Sequence, residues 1–342
     1  MGRERVQAMA VNTAGGKFER FEFDPGELRP DQVEIAVTHC GVCHSDLSMA
    51  NNEWGMSTYP LVPGHEAVGV VRAVGAHVPD GGPRVGDRVG LGWYSGSCLT
   101  CRTCLSGDHN MCARNESTIV ARHGGFASRV RCQWAWAVKI PDGVDPAAAG
   151  PLFCGGITVF NPIVQFGVRP TDRVGVVGIG GLGHLAIKFL RAWGCEVTAF
   201  SSSPEKNAEV LGMGAHRVVG SRDETALAKE AGRYDFVMST VNVPLAWEAY
   251  VAALAPRGRL HVVGAVLQPM PVGAFPLIMG QKSVSGSPLG SPATTGQMLD
   301  FCARHKIGPT CEMFKLSQVN KAFDHLHAGR ARYRIVLEQD LA

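Results

Sequence analysis

Two groups of side chains in this 342-residue chain have the types and spacing of metal ligands. The first begins at Cys43-His44-Ser45-Asp46 and resumes at Gly64-His65-Glu66, within a span that also carries Trp54, Met56 and Tyr59. Soft sulfur beside imidazole is zinc chemistry. A zinc ion that reacts needs about three protein ligands and one open position. The stretch supplies two, so a third must come from elsewhere, and spacing alone does not choose between Cys40 and Cys43 as the thiolate. The second group is Cys98, Cys101, Cys104 and Cys112, with two residues between successive members of the first three and seven before the last. Four thiolates close a tetrahedron around zinc and leave no place for substrate, so such a group is a staple. Iron–sulfur ligation also opens on Cys-x2-Cys-x2-Cys, but the long last gap and Ala113 where Pro would follow argue against it. Free or redox-active thiols are the remaining reading.

A third signal is Gly178-Ile179-Gly180-Gly181-Leu182-Gly183, which follows an apolar run and opens an amphipathic segment. In a strand–turn–helix setting the first glycine permits the turn and the second lets the backbone approach a pyrophosphate. The third packs helix on strand, where the helix N-terminus attracts the anion. A glycine-rich turn without ligand is the simpler alternative. Some twenty residues on, where an NAD site presents a carboxylate, stand Ser201-Ser202-Ser203 with Lys206 behind them. Without a carboxylate nothing repels a 2′-phosphate, and hydroxyls with an ammonium can bind one, so NADP is favoured over NAD. Ser202 or Ser203 before Pro204 can also cap the following helix.

These groups need elements to hold them. From Val6 to about Lys139 short β-like runs, such as Val33–Val37, Ala67–Val74 and Asp87–Leu91, are broken by Gly and Pro, the pattern of a β-rich barrel-like domain. From Asp172 the pattern becomes strand, glycine turn, helix. Strands are expected at 174–179, 196–200, 216–219, 236–238, 260–263 and 283–286, and helices at 182–193, 204–211, 225–231 and 244–254. Such alternation predicts a parallel sheet covered on both faces, an α/β fold. The tail, with helices at 297–305 and 317–328 and a strand at 333–337, is expected to return to the first domain. The expected domains are therefore residues 1–153 with 287–342, carrying the cysteine loop 96–113, and residues 154–286.

Hydrophobic content of 45% and charged content of 18% describe a globular protein, long enough for about two domains. A net charge of +3, with Lys and Arg scattered, makes nucleic acid a poor partner. There is no apolar run of membrane-spanning length and no evident signal peptide, and Val6 spoils the Met1-Gly2 resemblance to a myristoylation start, so a cytoplasmic location is expected. Eleven cysteines there read first as thiols or metal ligands. Cys40, Cys132, Cys195, Cys302 and Cys311 default to packing.

Together these residues resemble the zinc-dependent medium-chain dehydrogenase/reductase family, in particular its cinnamyl-alcohol-dehydrogenase group. The likeness runs through Cys43-His44-Ser45-Asp46, Gly64-His65-Glu66, the cysteine loop, Leu152-Phe153-Cys154-Gly155-Gly156-Ile157-Thr158, the glycine loop and Ser201-Ser202-Ser203. Segments 22–30, 46–49, 52–55 and 264–267 are similar to the bacterial broad-specificity NADPH-dependent aldehyde reductases of that group.

The resemblance implies a GroES-like catalytic domain with a Rossmann domain, and two zinc ions per chain. It makes Cys43 and not Cys40 the thiolate, Cys154 the third ligand beside His65, and Glu66 an alternative oxygen ligand. NADP(H) is the implied cofactor, with contacts from His44, Thr158, Gly178, Gly180, Gly181, Leu182, Gly183, Ser201, Ser202, Ser203, Lys206, Thr240, Val241, Val263, Gly264, Ala265, Ser285, Gly286, Ser287 and Arg334. Ser45 would contact the reacting oxygen and pass a proton along the nicotinamide ribose, and Asp46 would orient His65. Trp54, Met56 and Trp93 would line an apolar aldehyde site. The chain departs from many members at Ser48, where a histidine usually receives the relayed proton; serine does not titrate near neutrality. The implied activity is reversible, zinc-dependent reduction of aldehydes to primary alcohols, in a homo-oligomer. An NAD-linked alcohol or polyol dehydrogenase and a non-catalytic zinc- and nucleotide-binding scaffold are the competing readings.

Overall fold

The structure is a computed structural model that describes residues 4–341; the Met1-Gly2 start lies outside them. Two compact units emerge, Met1–Ile157 with Gly290–Ala342, and Thr158–Leu289. The helix Gly155–Gln165 contains the first point of division.

The first unit is organised around the 11-residue strand Gln32–Val42, which is buried along most of its length. One of its edges pairs antiparallel with Ala67–Val74. Its other edge is shared end to end: Gln32–Ala36 meets Arg129–Gln133, and His39–Val42 meets the C-terminal strand Arg334–Glu338. The sheet continues through Cys311–Lys315 on one side and through Arg88–Leu91 and Val138–Lys139 on the other. Val33, Ile35, Val71, Val89, Phe126 and Ile335 are among the side chains that fill the space it encloses. Burial of each such side chain is worth about 1.5–3 kcal/mol, which is what fixes the register.

That register matters for chemistry. Cys40 stands opposite Ala67, and the Gly41 N–H donates to the Glu66 carbonyl at 3.0 Å. Val42 stands opposite Ile335. Cys43, Glu66 and Arg334 are each one residue beyond or before these pairs, so three distant points of the chain meet at one end of the strand.

The second unit is a six-stranded all-parallel sheet in the order Arg217–Gly220, Glu196–Ser201, Arg173–Val177, Tyr234–Ser239, Leu254–Val262, Ser283–Gly286. In chain order this is 3-2-1-4-5-6, the doubly wound arrangement expected from the alternating pattern. Val174, Val176 and Val177 are buried, as strands covered on both faces must be. The helix Gly183–Trp193 stops at Gly194, whose φ of 112° an L side chain rarely adopts.

Several elements escaped the pattern reading. The helix His44–Ala50 is seven residues long, too short to show a periodicity. Gly155–Gln165 begins with two glycines and contains Pro162, which read as breakers; burial of Ile157, Val159, Phe160 and Ile163 overrides them. The strand Val6–Val11 agrees with the β-like runs expected from Val6 onward, and it pairs with Phe18–Phe23; the helix Ala274–Gly280 and the strand Cys311–Lys315 carry no such local signal. Among the described residues no helix is long and apolar enough to cross a membrane.

Candidate active site

Cys43 leaves the long strand and caps the helix His44–Ala50, while His65 and Glu66 immediately precede the strand Ala67–Val74. Cys154 arrives on the turn Gly150–Phe153, which is buried throughout. The Phe153 ring anchors that turn over Gly90: a Cβ at Gly90 would lie 2.1 Å from the ring, so only glycine lets Cys154 come in. Cys43 Sγ and Cys154 Sγ are 4.0 Å apart, and His65 Nε2 is 3.3 Å from Cys154 Sγ. With one Glu66 oxygen included, all four donor atoms lie within 4.8 Å of one another.

A tetrahedron of sulfurs about 2.3 Å from zinc has an edge of about 3.8 Å, with nitrogen edges somewhat shorter. Cys43, His65 and Cys154 therefore already stand on the edges of such a figure. Asp46 prepares the imidazole. Its carboxylate accepts the Cys43 N–H at 3.0 Å and the Gly64 N–H at 2.9 Å, and its Oδ1 is 2.9 Å from His65 Nδ1. Against the cost of burial, Asp46 and Cys43 raise His65 well above its ordinary range; the Asp46 carboxylate keeps a proton on Nδ1, so Nε2 is the atom that would meet a metal beside the thiols. Asp46, His65 and Glu66 are all fully buried.

The charges support the same reading. Hydrogen bonding from Cys154, together with His65 and Arg334, holds the Cys43 thiol well below its ordinary range against the cost of burial. Cys154 is pushed well up by that bond and by burial. The opposite shifts show two sulfurs too close to carry two negative charges unaided, as a dication between them would allow. Glu66 is raised by burial, partly countered by Arg334. The Arg334 Nη2 donates to Glu66 Oε1, while Glu66 Oε2 and Arg334 Nε have no hydrogen-bond partner. Glu66 thus keeps one buried oxygen beside the thiols. The resemblance implies a cofactor contact for Arg334; its pairing with Glu66 has no signal in the sequence, because only the sheet register brings residues 66 and 334 together.

Ser45 Oγ is 3.8 Å from Cys43 Sγ. His44 is exposed at the start of the same helix. The Ser48 hydroxyl donates to Glu53 Oε2 at 2.7 Å, and Asn51 Nδ2 to Glu53 Oε1 at 3.0 Å. Those two bonds hold the Glu53 carboxyl below its usual value. Above the thiols, Trp93 packs edge to face on His65 with centroids 5.1 Å apart and on Trp54 at 5.9 Å. Met56 is 44% exposed and is not part of that stack.

The second cysteine group lies in the loop around the short helix Arg102–Leu105. Its sulfurs are 3.8 Å (Cys98 to Cys104), 3.9 Å (Cys101 to Cys112) and 3.6 Å (Cys98 to Cys112) apart, again the tetrahedral edge for zinc. Backbone N–H groups point at the sulfurs, from Cys101 to Cys98 at 3.3 Å and from Arg114 to Cys112 at 3.4 Å. The N–H groups of Thr100 and Cys101 bring Cys98 down to about 5. This group has four sulfurs and no imidazole or carboxylate among its donors.

In the second unit Gly178 leaves the strand Arg173–Val177 with φ 87°, and Leu182 caps the helix that follows. A Cβ on Gly183 would lie 1.9 Å from the Gly178 carbonyl oxygen, the close helix–strand approach expected of the third glycine. Gly180 has open space where its side chain would be, and Gly181 lies between it and Leu182. Thr240 Oγ1 donates to the Gly178 carbonyl at 2.8 Å, and Val241 follows it. Val263, Gly264 and Ala265 follow the strand Leu254–Val262, and Ser285 and Gly286 end the last strand, with Ser287 next. Ser201 ends its strand and accepts the Ser203 N–H at 3.1 Å. Ser203 starts the turn Pro204–Lys206 without a side-chain cap, and Ser202 is exposed. Thr158 lies in the helix Gly155–Gln165 and is 9% exposed.

Residues 29–142 match the alcohol dehydrogenase GroES-like domain, and residues 181–304 match the zinc-binding dehydrogenase domain. The chain is 57% identical over 332 residues to aldehyde reductase AdhA of Synechocystis, covering 97% of this chain and 98% of that protein. It is 38% identical to a cinnamyl alcohol dehydrogenase of Arabidopsis thaliana, over 96% of this chain and 94% of that one. Among solved structures, a cinnamyl alcohol dehydrogenase of Sorghum bicolor superposes with a TM-score of 0.93 at 35% identity over 99% of both chains. One from Helicobacter pylori, complexed with NADP(H), gives 0.89 at 28% over 98% and 99%.

Proposed function

This chain belongs to the zinc-dependent medium-chain dehydrogenase/reductase family, among the alcohol dehydrogenases with a GroES-like domain, and from that premise we propose that it reduces aldehydes to primary alcohols with NADPH, reversibly. The observation that carries the reading is the tetrahedral spacing of Cys43, His65 and Cys154 with Asp46 behind the imidazole. Three protein ligands leave one position for a substrate oxygen, whereas Cys98, Cys101, Cys104 and Cys112 leave none. We therefore infer two zinc ions per chain, one reactive and one structural. When bound, the first zinc supplies Lewis acidity and the nicotinamide supplies hydride.

The chain's own residues do the rest. Cys43, His65 and Cys154 would hold the metal, and Asp46 would keep the proton on His65 Nδ1 so that Nε2 can serve as a ligand. The Ser45 hydroxyl, 3.8 Å from Cys43 Sγ, would hydrogen-bond the aldehyde oxygen and relay to it the proton that the product alcohol carries, accepting one in turn along the nicotinamide ribose so that the net proton comes from water. Trp54 and Trp93 exclude water and favour apolar substrates, aromatic and long aliphatic aldehydes before sugars. Ser201, Ser202 and Ser203 stand at the strand end where an NAD site presents its carboxylate, and with Lys206 they are suited to a 2′-phosphate and support NADPH over NADH. Exposed Phe275, Ile278 and Met279 beside the edge strand Ser283–Gly286 support a homo-oligomer.

Initial rates on aliphatic, aromatic and terpenoid aldehydes, with NADPH and with NADH, before and after chelation, test the reading. It expects NADPH-preferring turnover that chelation abolishes. Turnover that survives removal of all zinc, or its absence with every aldehyde, would overturn it.

A further inference from the structure

One buried titratable side chain of the second unit belongs to neither metal group. His261 is fully buried on the strand Leu254–Val262, two residues before Val263-Gly264-Ala265. In the parallel ladder it stands opposite Ser285. Its Nδ1 is 3.0 Å from Ser285 Oγ, and its Nε2 is 3.0 Å from Ser287 Oγ. The ring is held between Phe166, at 5.0 Å between centroids, and Phe236, stacked at 5.9 Å. Arg259 lies over the Phe166 ring at 4.3 Å. Burial, with the Arg259 charge adding to it, brings the imidazole down to about 4.

At neutral pH the ring is therefore uncharged, with one N–H donor and one acceptor nitrogen. One serine hydroxyl must donate to it and the other must accept, so the two hydroxyls are oriented together through the ring. An aliphatic side chain would fill a slot between two phenyl rings without the cost of burying two polar nitrogens. The place of the contact gives it a use. Strands Tyr234–Ser239, Leu254–Val262 and Ser283–Gly286 form the 4-5-6 half of the sheet, the second mononucleotide-binding half, whose ligand lies outside the carboxyl ends of the strands. Val263–Ala265 and Ser285–Ser287 are the carboxyl ends of the last two strands, and His261 ties one to the other.

We propose that His261 is a positioning residue that locks the Ser285 and Ser287 hydroxyls, so that this segment offers a fixed hydrogen-bonding face to the nicotinamide half of the dinucleotide. The inference rests on the reading of the chain as a dinucleotide-dependent reductase.

Fluorescence titration of the full chain with NADPH, beside calorimetric titration with adenosine 2′,5′-bisphosphate, tests it. In His261→Phe the Kd for NADPH should rise about tenfold, the loss of one well-made buried hydrogen-bond arrangement, while that for the bisphosphate stays within about twofold. Equal weakening of both ligands, or no change in either, overturns the proposal. Should His261→Phe fail to fold, the double variant Ser285→Ala with Ser287→Ala is read in the same way and must show the same selective loss. A wild-type chain that binds neither probe would overturn the dinucleotide reading itself, whereas normal wild-type binding with unchanged variants would overturn only the role of His261.

Discussion

Two thiol groups in one unit of this chain bring sulfurs to the same tetrahedral spacing by different means. Cys98, Cys101, Cys104 and Cys112 come from one loop, and their spacing is set by local turns and by N–H groups aimed at the sulfurs. Cys43, His65 and Cys154 come from three places in the chain, and a buried sheet register, a packed Phe153 and the Asp46 carboxylate set theirs. On the proposed reading the local group would saturate its metal and only stabilise, whereas the assembled group, which mixes sulfur, nitrogen and a half-paired carboxylate, would leave one position for a reacting atom. A site for chemistry is thus the one the whole fold must build.

The comparison breaks if the two groups can be exchanged in role. Replacing Cys154 by Ser should lower turnover by about a thousandfold or more, since Lewis-acid stabilisation is worth several kcal/mol, while the thermal midpoint moves little. Replacing Cys104 by Ser should do the reverse. A stability loss of several kcal/mol is expected, with turnover per folded molecule nearly kept. Denaturation curves read with single-turnover rates distinguish the two; a folded Cys104→Ser protein without activity would erase the distinction.

A smaller effect sharpens it. Arg334→Met leaves the fully buried Glu66 without its cation and should cost about 3–5 kcal/mol in urea denaturation. No change would mean that the pair does not hold this end of the sheet. Asp46→Asn keeps all three ligands but loosens the His65 tautomer, so metal affinity and turnover should fall about 10–100-fold. Competition with a chromogenic chelator checks the affinity, and an unaltered value would show that the thiolates alone hold the ion.

The mildest change concerns the proton. Wild-type Ser48 donates to Glu53 and has no titration of its own near neutrality. Ser48→His adds a base with an ordinary value of about 6.5, neutral and accepting above it. Alcohol oxidation by the variant should therefore rise as pH increases through that value, with aldehyde affinity unchanged. Superimposable pH–rate curves would remove position 48 from the proton path.

Much of this was legible before the fold was seen, wherever the signal was local. The cysteine loop and the glycine turn carry their meaning in short spacings, because one backbone turn suffices to bring their atoms together. The alternation of apolar runs and helices likewise announced the parallel sheet. Short helices such as His44–Ala50, and the glycine- and proline-bearing Gly155–Gln165, stayed hidden because burial and capping, not periodicity, hold them.

The sequence by itself determined which side chains could bind zinc, which turn could approach a phosphate, and the class of fold that would carry them. Spacing left Cys40 and Cys43 open and the family resemblance implied Cys43, which the structure brings to Cys154; only the tertiary structure decided that Arg334 closes on Glu66. It also set His261 between Ser285 and Ser287. The reason is that these are contacts across strands, set by register. In a sheet a shift of one residue turns a side chain to the opposite face, and only the burial of the whole core selects which residues meet.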